Sequence, residues 1–214
     1  MSKQLIDAVL QHSDEAFRSQ FATVYRPGGA SQMKKDASIH MLEDGIRRIF
    51  VFDGDQSNSV QEFDLSTVPI DVTPEALDGM ILEWLGVSIG FRQDSNMSDD
   101  QKISIRKDFI EYANKTFRIL PFETPEAAIW SDERARDQLR VVGADEGLID
   151  KITTLNDCKE KFLALSEATQ PLGQSLASSN ISTIHGIFVT GFCNDANSLF
   201  VDMNNLLKEI ADNA

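Results

Sequence analysis

From Ile181 to Ile210 the chain reads ISTIHGIFVTGFCNDANSLFVDMNNLLKEI, with apolar residues at Ile181, Ile184, Phe188, Phe192, Ala196, Leu199, Met203, Leu206 and Ile210. Steps of three and four residues put such positions on one narrow stripe of an α-helix. The segment before it repeats the pattern at Leu148, Ile152, Leu155, Cys158, Phe162 and Leu165. Two seams joined through Gln170-Pro171-Leu172-Gly173 and Ser178-Ser179-Asn180 predict an antiparallel helical hairpin over the C-terminal third. Gly186 and Gly191 each weaken a helix by about 1 kcal/mol against Ala. Residues 181–212 therefore read either as one helix with close contacts at its glycines or as a helix broken there.

The helical reading extends upstream. Thr73-Pro74-Glu75 and Thr124-Pro125-Glu126 each place a capping hydroxyl before a proline at the first helical position. Ser98-Asp99-Asp100-Gln101 is a capping box opening a helix to about Leu120, with a stripe of Phe109, Ile110, Ala113, Phe117 and Leu120. The helix opened at Thr124 is expected to run to about Val142. Residues 2–25 read as two helices divided at Ser13-Asp14-Glu15, followed by a loop at Arg26-Pro27-Gly28-Gly29-Ala30-Ser31. Lys34-Lys35 extends that loop with positive charge.

One region reads as β. Ile46-Arg47-Arg48-Ile49-Phe50-Val51-Phe52 is β-branched and aromatic, Asp53 to Asn58 supplies turn chemistry, and Val60 to Leu65 alternates strictly. The pattern predicts an antiparallel β-hairpin near residues 46–72, with a third edge strand at Val68 to Val72. The expected fold is α+β and predominantly helical, with this hairpin packed on a helical body. It is expected as a single domain over residues 1–214, or as a mixed lobe over 1–92 and a helical lobe over 93–214.

Composition narrows the function classes. A chain of 214 residues with 42% hydrophobic content buries roughly 70% of its unfolded surface without disulfides or structural metal. Thirty-four acidic against twenty basic residues give a net charge of −14. Such a surface repels phosphate backbones and anionic lipid, which argues against nucleic-acid and membrane binding. Cys158 and Cys193 belong to no metal-ligand spacing, and no apolar run approaches the roughly 20 residues of a membrane span. These features point to a soluble, cytoplasmic protein with buried thiols.

The strongest chemical motif is Ile49-Phe50-Val51-Phe52-Asp53-Gly54-Asp55. A hydrophobic strand ending in Asp-x-Asp presents two carboxylates at one rim, and hard oxygens suit a divalent cation such as Mg²⁺. The run resembles the first motif of haloacid-dehalogenase-type phosphatases. That resemblance implies a metal-dependent enzyme on a phosphorylated substrate, with Asp53 and Asp55 holding the cation. Those phosphatases continue with Thr or Val where this chain has Gln56-Ser57, and they use a lysine and further acids on later parallel strands. A calcium loop from Asp53 through Asp55, Ser57 and Gln61 is a partial match, with Asn58 where Gly is needed and Asp64 as the closing acid. The simplest reading is an Asp-Gly turn.

His12, His40 and His185 have no acid, Cys or His partner at a local spacing that chemistry requires, and no nucleophile or phosphate-loop motif is present. The sequence therefore favours a non-enzymatic interaction or assembly protein, binding a protein partner or itself through helical surfaces and needing no cofactor. The exposed side of the 194–212 helix, with Asp202, Lys208 and Glu209, is the expected contact. An acidic inhibitor that imitates nucleic acid is a variant of the same reading.

Overall fold

A computed structural model describes residues 1–43, 45, 47–92, 96–170, 178–195 and 197–212, the side chains of 178 and 179 excepted. In chain order the elements are α1 (Ser2–Gln11), α2 (Glu15–Arg18), α3 (Gly29–His40), β1 (Phe50–Phe52), α4 (Pro74–Leu85), α5 (Asp99–Thr116) and β2 (Phe117–Ile119). They continue as α6 (Pro125–Ile129), α7 (Asp132–Val141), α8 (Glu146–Thr153), α9 (Cys158–Ala168), α10 (Ser178–Asn194) and α11 (Ser198–Asp212). The protein is predominantly helical with one small sheet, and among the described residues no helix is long and apolar enough to cross a membrane.

The contacts divide the chain into two compact units. One joins Met1–Val24 to Pro121–Asn213; the other is Tyr25–Leu120, and the 92/93 boundary falls inside it.

The expected antiparallel hairpin is not formed. β1 pairs with β2 in parallel, Phe50 opposite Phe117 and Phe52 opposite Ile119. The Leu120 amide extends the ladder by donating to the Phe52 carbonyl at 2.8 Å. Parallel strands need a long crossover, and α4 and α5 supply it. The turn chemistry after Phe52 closes a 3₁₀ helix, Gly54–Ser59, rather than a hairpin loop. The alternating run beyond it finds no strand partner because a side chain takes the ladder's place. Asn114 accepts from the Phe63 amide and donates to the Phe63 carbonyl, both at 2.9 Å. The segment read as a third strand begins beyond a second 3₁₀ turn, Leu65–Thr67, and stays irregular. Ile46, the first residue of the expected hairpin, lies outside the described residues.

Around the strands sits a core of Ala37, Phe50, Phe52, Leu77, Ile81, Leu85, Phe109, Ile110, Ala113 and Phe117. α3 replaces much of the expected loop. Gly28, with φ at 106°, makes the turn into it, a conformation that side chains other than Gly rarely adopt. Lys34 on this helix is buried, not an exposed loop charge.

In the other unit each long seam is divided. Asp157 accepts from the Lys159 and Glu160 amides and opens α9 as a separate helix from α8. The 181–212 stretch breaks between Asn194 and Ser198, not at Gly186 or Gly191, both inside α10. Gly191 is a point of close contact, since a Cβ there would lie 1.9 Å from Arg134 Cζ. The expected helix from Thr124 is also two, because Ser131 caps α7 through the Arg134 amide at 3.3 Å. Pro171, Leu172, Gly173 and Ala196 lie outside the described residues.

Candidate functional site

Asp53 stands directly beyond β1 and is half-buried at the start of the 3₁₀ turn; Asp55 is exposed and accepts from the Gln56 amide group at 3.2 Å. The later residues of the calcium-loop pattern are engaged otherwise. The Gln61 carbonyl accepts from the Trp84 indole at 2.6 Å, and the Asp64 carboxylate caps the Ser66 amide at 2.9 Å. Those Ser66 hydrogen bonds hold the Asp64 carboxyl below its ordinary range. Among the described residues no group of three or more His, Cys, Asp or Glu is placed to hold a metal ion.

Below this rim lies Lys34, whose ammonium donates to Ser59 Oγ at 2.8 Å, the Leu85 carbonyl at 3.0 Å and Gln56 Oε1 at 3.4 Å. It also lies 5.9 Å from the centre of the Phe52 ring. Burial lowers its pKa. Three donors meet three acceptors, and one of these is the last carbonyl of α4, where a helix favours positive charge. Lys34 thus ties α3 to the 3₁₀ turn and to the end of α4.

A second polar group in this unit was not legible as a site in the sequence. His40 Nδ1 lies 3.0 Å from Glu43 Oε2, and the same carboxylate oxygen accepts from Arg48 Nη2. Arg26 Nη2 approaches His40 Nε2 at 3.5 Å. The hydrogen bonds from His40 and Arg48 lower the Glu43 pKa, so Glu43 is ionised and His40 Nδ1 is the donor. His40 therefore has the local acid partner that the sequence reading denied it, three residues on. The missed signal was His-x-x-Glu straddling a helix end. Tyr112 on α5 completes the group: burial raises its pKa, and its hydroxyl feels the charges of Arg48 and Glu43. The Tyr112 hydroxyl and Arg48 Nε are buried atoms with no hydrogen-bond partner among the described residues.

In the other unit Trp130, Phe162, His185 and Phe188 form an aromatic cluster. Trp130 stacks on Phe188 at 5.3 Å between centroids, and the His185 ring meets Phe162 edge-on at 4.6 Å. His185 Nε2 is buried with no hydrogen-bond partner among the described residues, and burial pushes its pKa down to about 4. Arg134 and Lys161 lie over the cluster, 5.8 Å from the Phe188 ring and 5.2 Å from the Trp130 ring. Cys193 is buried and its thiol is pushed up to about 11; Cys158 is half-buried and also raised by burial. Neither thiol is activated as a nucleophile.

Two surfaces of this unit face outward. An apolar groove of about 330 Å³ runs between α8 and α9, lined by Leu148, Ile152, Leu155, Ala164 and Ala168, with Lys151 and Glu167 as its charged members. Leu148 keeps 38% exposure. On α11 the buried side is Met203, Leu207 and Ile210, so Leu207 is buried where the seam anticipated Leu206. Asp202, Lys208 and Glu209 are exposed on that helix, beside Val201 at 51%. No family model matches the chain, and no curated protein or solved structure matches it.

Proposed function

We propose that this protein is a non-enzymatic interaction or assembly module that docks a protein partner on the helical surfaces of the unit containing α6–α11. The observation that supports it is the open apolar groove between α8 and α9. Apolar surface left open in a concave place is a common mark of a binding site. The net charge of −14 favours a partner segment that carries basic residues around an apolar face. Asp202, Lys208 and Glu209 form the second contact surface. The charge also supports the variant in which the partner is a nucleic-acid-binding protein blocked by an acidic mimic.

The test is a native mass spectrum of the protein purified gently from its own cells, run beside two variants. One carries Leu148→Lys in the groove, and the other reverses Asp202, Lys208 and Glu209. The expected parent spectrum shows the chain with a second polypeptide or a second copy, and the expected variants lose it while keeping their circular dichroism. Retention of the partner by both folded variants would sink the reading. Competition by duplex DNA for the same partner would select the mimic.

A second reading has one supporting observation: β1 is a parallel strand, and Asp53 and Asp55 follow its carboxyl end. Sites in open α/β sheets gather at that edge. On this reading the protein is a Mg²⁺-dependent enzyme on a phosphorylated substrate, and Asp53→Asn abolishes metal binding with the fold kept. An unchanged Mg²⁺ titration in Asp53→Asn removes it.

A further inference from the structure

Two arginines in the unit Tyr25–Leu120, Arg106 buried and Arg48 half-buried, make opposite use of the same guanidinium edge. Arg106 presents Nε and Nη2 side-on to Asp78, at 2.8 and 2.7 Å, which is a complete bidentate fork. Arg48 presents the same edge to Glu43 but uses only Nη2, and Nε is buried with no partner among the described residues. The Tyr112 hydroxyl, within the field of that guanidinium, is also unpaired. Unpaired buried donors cost free energy and call for an explanation.

We propose that the Nε–Nη2 edge of Arg48, together with the Tyr112 hydroxyl and the His40 imidazole, binds a phosphoryl oxyanion, which exchanges with the Glu43 carboxylate. A tetrahedral oxyanion has the lone pairs to complete the fork on Arg48, accept from Tyr112 and accept from His40 Nδ1. Glu43 supplies one oxygen to two donors, His40 and Arg48, and reaches no third. Exchange is sterically open, because the side chains of Arg48 and Glu43 keep 30% and 41% exposure. Arg26 is exposed beside His40 and adds a second guanidinium at the rim. Among the described residues of this group, the guanidinium groups of Arg26 and Arg48 stand against the single Glu43 carboxylate, in a chain of net charge −14. The site is independent of the groove between α8 and α9.

Inorganic phosphate is the probe, titrated into the full chain while the His40 and Tyr112 ring resonances are followed by NMR. The expected result is saturable shifts at both rings in the unmodified protein. Arg48→Lys, which keeps the charge and loses the fork, should weaken binding about tenfold, and Tyr112→Phe should weaken it several-fold. Glu43→Gln removes the competing anion and should tighten binding by about tenfold. Flat titrations at the two rings, or binding indifferent to Arg48→Lys, would overturn the proposal. Tighter binding of acetate than of phosphate would overturn the phosphoryl assignment.

Discussion

The two units differ in the kind of polar side chain at their most telling enclosed position. In Tyr25–Leu120, Lys34 and Arg106 are 3% and 2% exposed, and each is engaged at several points. Lys34 meets three neutral acceptors, while Arg106 holds Asp78, the Lys102 carbonyl at 2.9 Å and the face of Phe91 at 5.0 Å. In the other unit, His185 is half-buried edge-on to Phe162, with no partner for Nε2 among the described residues. One unit fixes its elements with two charged side chains in the core, while leaving Arg48 Nε and the Tyr112 hydroxyl unpaired among the described residues, whereas the other packs aromatic rings against an imidazole. The difference teaches where each unit is vulnerable: the first to loss of a partner, the second to a proton.

Asp78→Ala tests the first half and carries the largest effect. It leaves the Arg106 guanidinium buried without its counter-ion, and stability should fall by about 3 kcal/mol or more in urea denaturation. A loss under about 1 kcal/mol would show that solvent screens the pair, as it does at surfaces. Adding Arg106→Met should recover part of the loss, because the buried charge then goes too.

Acid tests the second half. With a folded pKa of about 4 against an ordinary value of 6.5, His185 stays neutral in the fold while the unfolded chain takes up a proton. The unfolded state binds more protons in that window, so stability falls as pH drops from about 6.5 toward 4 and levels off below. The expected loss between about pH 7 and pH 4.5 is roughly 2 to 3 kcal/mol. His185→Phe should flatten this step. An unflattened step would mean that another group, and not the orphan nitrogen, governs acid sensitivity.

The smallest effect sharpens the comparison by touching neither kind of core. Ser98 accepts from the Gln101 amide while Gln101 reaches back to the Ser98 amide at 2.9 Å. Ser98→Ala should cost about 1 kcal/mol, read as a shift in urea midpoint at unchanged slope.

These caps were also the most legible part of the fold. Thr73, Ser98 and Thr124 all accept from the first turn of a helix, because the interaction is local and its residue types are few, whereas Asp157, which caps α9 inside the expected seam, went unread. Most apolar seam positions were legible for the same reason: Ile152, Phe162, Leu165, Ile184, Phe188, Phe192, Met203 and Ile210 are buried. The strand at Phe50–Phe52 was visible in its β-branched and aromatic residues, but its partner was not. Phe117 and Ile119 sit where the stripe of α5 continues in phase, and only tertiary pairing turns them into a strand. Asn114, which holds Phe63 out of a ladder, is an ordinary polar helix residue until its fold neighbour is known. The His40–Glu43 pair was local yet unread, since it lies across the end of α3, a helix whose start was read as a loop and whose end was not read at all.

The division of the chain carries a consequence for its birth. Tyr25–Leu120 is continuous, while the other unit joins the first 24 residues to the segment after Pro121. Synthesis from the N-terminus delivers α1 well before α10 and α11, the helices it packs on. As residues emerge at roughly 5–20 per second, the apolar face of α1, with Leu5, Val9 and Leu10, waits several seconds for its cover. The continuous unit is complete in sequence within that interval, while α1 still lacks its cover.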